Sequence, residues 1–329
     1  MAYIARRFGV SLFIIYVVIT ISFFLIRLMP GNAVDFLYFQ LLASHTVSPQ
    51  QALQQVQSLY GVNMKEPLLL QYVQYIWNMI HGSLGNSILY PGTSVLHILM
   101  NALPWTILIV STSLIISFFI GISIGTLIAY FRKSKFAVLV STIMTVLSAI
   151  PNYIVAIILL YLLADIHHIF PTGGAYSPEV APGWNIPFLF SVARHAALPV
   201  IVFIITQVGG WSLGMKSSVV SALGEEYITS AHSHGIGSRR IIQSYVGRNA
   251  ILPLVTSLGL SIGFMVGGSV FIETLFNYPG IGFFLITAVN GRDYPLMMGA
   301  FIIVTSAVVL ANFLTDLINQ RLDPRTMQK

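Results

Sequence analysis

Six stretches of this chain stay apolar for about 20 residues or more, the length needed to cross a bilayer. They lie at roughly 9–29, 102–130, 137–164, 196–216, 251–274 and 299–319. The pattern predicts six transmembrane helices. Gly121 and Gly125 mark a point where the second can approach a neighbour closely. Pro151 and Asn152 interrupt the third, and a proline removes a backbone hydrogen bond and bends a helix. Gly209, Gly210 and Gly214 dilute the fourth. Arg6-Arg7 before the first run suggests a signal peptide. The run is too long for one, and Leu28-Met29-Pro30-Gly31 is a poor cleavage site, so the segment reads as an uncleaved anchor.

Between the first two runs, residues 30–101 form a less apolar insertion. Ser48 before Pro49 reads as a helix start, with Leu53, Val56, Leu59 and Tyr60 at helical spacing. A second helix follows from Pro67, with Leu69, Tyr72, Val73, Ile76 and Trp77 on one face. This pair fits a cap packed on the bundle, a docking surface for an external partner, or both.

A polar island, Lys216 to Asn249, separates the fourth and fifth runs. Leu223, Tyr227, Ile228 and Ala231 make one apolar stripe. Glu225 and Glu226 sit near the start of that helix, where its dipole favours negative charge. Gly235-Ile236-Gly237 stops it, and Ser238 can cap a next helix with inner face Ile241, Ile242, Tyr245 and Val246. The island is either an ordinary loop or a short helix that docks in a groove of a separate motor protein. The small residues Ser230, Ala231, Ser233 and Gly235 would let two backbones come close.

Composition places most of the chain in lipid. It is 56% hydrophobic and 8% charged, with mean hydropathy +0.83, where soluble domains are about 25% charged. One polytopic membrane domain fits better than soluble domains. With no cysteine, disulfides, thiolate metal sites and cysteine nucleophiles are excluded. The net charge of +6 follows loop position rather than a nucleic-acid surface. Arg6, Arg7, Arg132, Lys133, Lys135, Lys216, Arg239, Arg240, Arg248, Arg321, Arg325 and Lys329 fall on one side, and only Arg27, Lys65, Arg194 and Arg292 on the other. By the positive-inside rule, both termini and the polar island are cytoplasmic.

Intramembrane ionisable residues are few, and such residues tend to be functional. Glu273 closes the fifth run. It is either an interfacial carboxylate paired with Arg292 or part of an outer gate whose pairing changes. Asn152 and Tyr153, beside the expected kink, either line a polar path or pack. Gly259, Gly263, Gly267 and Gly268 recur near every fourth position, a face suited to tight contact with a sister subunit. His167 and His168 point apart on a helix with no third ligand near, so no metal site is expected. No Ser/His/Asp arrangement and no phosphate-binding G-x-x-x-x-G-K-[ST] run is present, so ATP hydrolysis is not this chain's chemistry.

Several segments together resemble a known family. Glu225 to Pro253 is similar to the "EAA" loop of ABC importer permeases, through Ala231, Gly235 and Ile251-Leu252-Pro253, with Thr229 and Ser230 at the family's Glu-Ala positions. Tyr60-Gly61-Val62-Asn63-Met64-Lys65-Glu66-Pro67-Leu68, Gln71-Tyr72 and Gly82-Ser83-Leu84-Gly85-Asn86-Ser87 resemble the run between the first two spans of dipeptide/oligopeptide-type (B-type) permeases. Pro171-Thr172-Gly173-Gly174, Leu198-Pro199, Glu273 to Gly282, Arg292-Asp293-Tyr294-Pro295 and Leu322-Asp323-Pro324-Arg325 also resemble segments of that family.

The resemblance implies an all-α polytopic membrane helical bundle of six transmembrane helices, like a type I ABC importer permease, with an extracellular helical insertion between spans 1 and 2. The expected organisation is a tail and first span at 1–29, the insertion at 30–101, a core permease domain at 102–320 with a coupling loop at 217–250, and a cytoplasmic tail at 321–329. It implies ATPase-coupling roles for Glu225, Glu226, Tyr227, Ala231, Gly235, Arg239 and Arg240, and leaves Asn152, Tyr153, Glu273 and Arg292 as pathway or gate candidates. The implied partners are a second homologous permease, two cytoplasmic ATPases that bind ATP and magnesium, an extracellular solute-binding protein, and the lipid bilayer of the cell membrane. No cofactor is expected in this chain. The implied cargo is di- or oligopeptide, with oligosaccharide or another solute such as a nickel complex as the alternative. An ion-coupled secondary transporter would show mid-membrane charges and paired broken helices, and neither is evident.

Overall fold

The computed structural model describes residues 2–28, 38–39, 41–43, 48–60, 67–237 and 246–322, most of them helical. The helices are α1 (Ala2–Leu28), α2 (Pro49–Tyr60), α3 (Leu68–Ile80), α4 (Val95–Tyr130), α5 (Lys135–Ala149), α6 (Asn152–Leu159), α7 (Ile186–Ala222), α8 (Glu226–Ser233), α9 (Gly247–Leu275), α10 (Ile281–Asn290) and α11 (Tyr294–Leu322). Among the described residues there is no β-sheet, only a single antiparallel bridge between Asn86 and Ser94.

α1, α4, α7 and α11 are each long and apolar enough to cross a membrane. The other two expected spans are broken. Asn249–Gly263 and Met265–Leu275 meet at 45°, and α5 meets the next helical stretch, Asn152–Ile166, at 94°. The run at 137–164 is therefore not one bent helix, as its continuous apolarity suggests, but two helices at a right angle. Ile150 precedes a proline, whose ring pushes it out of helical conformation. It sits at φ −79°, ψ 124°, and a new helix starts at Asn152. α7 starts ten residues before the predicted span because Asn185 caps it, accepting from the Phe188 N–H at 2.8 Å. The apolar helix α10 was not anticipated. At ten residues it is too short to span.

Packing divides the chain into two compact units. The first takes Met1–Thr106 and Pro279–Leu310. Phe23, Leu99, Ala102, Ile281, Leu296 and Ala300 form its core. α2 begins where Ser48 was expected to cap: the Gln51 N–H donates to the Ser48 hydroxyl and the Ser48 N–H to the Gln51 side chain, a reciprocal cap. α3 keeps the predicted spacing, but its expected apolar face is split between inside and outside. Gln71, Tyr72, Tyr75 and Met79 face inward, while Leu69, Val73 and Trp77 are exposed. Tyr72 and Tyr75 pack on the Phe23 ring, centroids 5.3 and 5.6 Å away.

The second unit takes Ile107–Tyr278 and Ala311–Lys329. α7 is its axis, packed against α5, α6 and α9. Close approach is set by absent side chains. A β-carbon on Gly121 would collide with Trp211, and one on Gly125 with the Ser212 carbonyl. Gly209 meets α5 in the same way, at the Met144 carbonyl. The Pro171–Gly174 turn docks on the end of α9, where the Gly174 N–H donates to the Phe276 carbonyl at 2.9 Å.

Candidate functional site

α8 forms where the polar island predicts a short helix. α7 ends at Ala222, a turn brings Glu225 to the start of α8, and Gly235 ends it at φ +75°. That left-handed conformation carries little penalty only for glycine. Among the described residues, nothing lies within 4 Å of the position a Gly235 β-carbon would take. Glu225, Glu226 and Tyr227 are exposed, whereas Ile228 is buried. One side of α8 is thus fixed to the protein and the other is presented outward. Tyr227 is held by the Asn249 side chain, whose amide donates to its hydroxyl at 3.0 Å. The backbone at Ala231 is helical, and Arg239 and Arg240 lie outside the described residues. Of the expected stripe, Ile228 is the anchor, while Tyr227 is 40% exposed.

The helices on either side of α8 enclose a cleft. It measures about 390 Å³ and is lined by Gln207, Gly210, Gly214, Ser217 and Ser218 of α7 and by Pro253, Ser257 and Ser261 of α9, with Trp211 and Leu254. Among the described residues no charged side chain lines it. Gly210 and Gly214 face it with open space where a side chain would stand. The glycines of α7 therefore do two jobs: Gly209 admits α5, while Gly210 and Gly214 keep the cleft wall bare. The Trp211 indole N–H is buried with no hydrogen-bond partner among the described residues. Sequence reading missed this cleft. Serines and glycines scattered from Gly210 to Ser261 give no motif, and only the pairing of α7 with α9 assembles them.

The predicted pathway residues lie elsewhere, and none lines the cleft. Asn152 starts α6 and packs into α9, where a β-carbon on Gly268 would come within 2.8 Å of its amide nitrogen. Tyr153, beside it, is 48% exposed. Glu273 is fully buried near the end of α9. Burial pushes the Tyr278 phenol above its ordinary value, and the Glu273 charge adds to the shift. Glu273 belongs to the second compact unit and Arg292 to the first. Arg292 has a left-handed backbone, φ 54°. The small-residue face expected to meet a sister subunit is partly used within the chain. Gly259 lies against Thr315 and Asn312 of α11, and Gly268 against Asn152; Gly267 is open.

Comparison with known proteins gives these elements a context. The family model described as binding-protein-dependent transport system inner membrane component matches residues 121–328. The chain is 31% identical to the oligopeptide transport system permease protein AppB of Bacillus subtilis, over 98% of both chains. It is 29% identical to the di/tripeptide transport system permease protein DppB of Pseudomonas aeruginosa, over 99% of this chain and 98% of that one. Its fold is similar to a chain of the inward-facing MetNI methionine ABC transporter, with TM-score 0.55 and 17% identity, over 69% of this chain and 96% of that one.

Proposed function

Because this chain belongs to the family of binding-protein-dependent transport system inner membrane components, we propose that it is one permease half of an ATP-driven importer of peptides. The observation that carries the cargo class is the end-to-end likeness to an oligopeptide permease and a di/tripeptide permease, 98% of each covered.

In this reading a second, homologous permease completes the pathway. Two ATPase subunits on the cytoplasmic face hold ATP and magnesium and carry out hydrolysis, and a solute-binding protein delivers peptide on the opposite face. The distribution of Lys and Arg puts both termini with the ATPases. α8 is the part that an ATPase groove grips, through Glu225, Glu226, Tyr227 and the chain beyond Gly235, including Arg239 and Arg240. It is continuous with α7 and leads back into α9, so moving α8 changes the tilt of both cleft walls. Closure of the ATPases brings the two docking helices together, narrows the inner ends and opens the outer ends. Hydrolysis reverses the motion. The neutral cleft suits a peptide main chain. Gln207 and the serines supply donors and acceptors, and with no charge in the lining, cargo is not sorted by side-chain charge there.

The test is to co-express the chain with candidate ATPase and permease partners, purify the complex, and measure ATP hydrolysis in lipid vesicles with binding protein, empty or peptide-loaded. A stable complex stimulated by the loaded protein is the expected result. A chain that binds no ATPase and transports under an ion gradient overturns the reading.

A further inference from the structure

We propose that α3 is a lipid-facing helix rather than a cap in water. It seats in the half of the bilayer that holds the C-terminal end of α1, with Leu69, Val73, Trp77 and Ile80 turned to lipid.

The first ground is where α3 is docked. The Tyr72 hydroxyl shares a 2.7 Å hydrogen bond with the hydroxyl of Thr20, and its ring stacks on Phe24 at 5.6 Å. Thr20, Phe23 and Phe24 lie inside the membrane-crossing stretch Arg6–Ile26, not beyond it. From Thr20 to Ile26 a helix rises roughly 9 Å. A helix pinned to Thr20 by the side chain of Tyr72 is therefore alongside the span at hydrocarbon depth.

The second ground is the face turned outward. Leu69, Val73, Trp77 and Ile80 are 60–71% exposed and follow one another at helical spacing. A contiguous apolar stripe of that kind marks a covered surface. It is not alone: α1, to which α3 is docked, exposes Phe13, Ile21 and Leu25 on the same compact unit, and an exposed apolar flank on a membrane-crossing helix is a lipid-facing one.

The third ground is chemical. α3 contains no charged residue, so it lacks the basic face of a helix that floats on headgroups and the Arg that enriches protein-docking surfaces. Of its polar side chains, Gln71 is turned to the protein at 3% exposed, while Asn78 is exposed near the C-terminal end. Its C-terminal end carries the interfacial chemistry. The His81 ring lies 4.4 Å from Trp77 and donates to the Trp77 carbonyl at 2.8 Å. Trp prefers the headgroup boundary, so that end lies at the interface.

The chain has no cysteine, which makes the proposal directly measurable. Single-cysteine variants Leu69→Cys, Val73→Cys, Leu25→Cys and Gln54→Cys are spin-labelled in the full chain, assembled with cysteine-free partner subunits in lipid vesicles without binding protein. Relaxation by oxygen, which partitions into lipid, is compared with relaxation by a water-soluble nickel chelate. The expected result is a severalfold preference for oxygen at 69 and 73, matching the α1 position 25, and the opposite preference at 54. Nickel-dominated relaxation at 73 puts α3 in water and overturns the proposal. Poor access to both reagents means a protein covers the stripe and overturns it equally. Neither outcome depends on which solute is carried.

Discussion

The Ser87 hydroxyl donates a hydrogen bond to Oδ2 of Asp293, 206 residues further along the chain. The same oxygen accepts the N–H groups of Ile88 at 2.8 Å and Leu89 at 3.0 Å, while Oδ1 accepts from Leu296 at 3.0 Å. One fully buried carboxylate thus caps α11 and fastens the loop that precedes α4. Asp293→Ala removes four acceptor contacts and leaves three backbone N–H groups without them, those of Ile88 and Leu296 buried. Such a change costs about 3 kcal/mol or more. Thermal unfolding of the detergent-solubilised chain checks this. Ser87→Ala, which loses one hydroxyl, should cost about 1–2 kcal/mol.

Gly235 separates backbone strain from docking. Gly235→Ala places a β-carbon in open space, so its penalty is the left-handed backbone alone, about 1 kcal/mol. ATPase stimulation should survive. Gly235→Arg carries the same strain and puts a long charged side chain on the turn. It should keep the membrane fold and lose stimulated ATP hydrolysis. Unchanged transport in Gly235→Arg would count against α8 as the gripped element.

The glycines of α4 and α7 should split into two classes. Gly125→Ala forces a β-carbon onto the Ser212 carbonyl, a backbone atom that cannot swing away, and overpacking of this kind costs about 1–3 kcal/mol. Gly214→Ala meets nothing within 4 Å and should leave the melting temperature unchanged. Placed in the cleft, Gly214→Leu should instead lower transport while peptide-loaded binding protein still stimulates hydrolysis. Melting curves and vesicle uptake distinguish the two classes.

The Tyr75 hydroxyl is buried with no hydrogen-bond partner among the described residues. An unsatisfied hydroxyl held away from water costs about 1–3 kcal/mol. Tyr75→Phe keeps the ring against Phe23 and removes the hydroxyl, so the melting temperature should stay level or rise. A clear fall would mean the hydroxyl has a role the contacts do not explain.

The sequence disclosed where elements begin and stop better than which way they face. The reciprocal cap at Ser48, the break at Pro151 and the end of α8 at Gly235 are local backbone chemistry, written in two or three adjacent residues. Which way α3 faces was not legible, for a physical reason. Beside a bilayer the outside is as apolar as the inside, so Leu69 and Val73 do not point to the core. Tyr72 and Tyr75 do, because they find Phe23 there.

The short helix α8 was legible because its polar residues are contiguous, but the cleft was not. Gln207, Ser217, Ser257 and Ser261 are unremarkable one by one and belong to two helices. Asp293 stood in the sequence as part of a family-like run, with nothing to signal that its partner would be Ser87.

α7 carries a mechanical consequence. It is gripped most closely where Gly209 meets α5 and where Trp211 and Ser212 meet the glycines of α4. From that grip to Ile186 the helix rises roughly 35 Å, and from it to Ala222 roughly 15 Å. A rigid tilt about such a fulcrum gives unequal arms. In the proposed cycle, a push at the α8 end would emerge at the far end in the opposite direction and about twice as large, so a small stroke below would become a wide swing above.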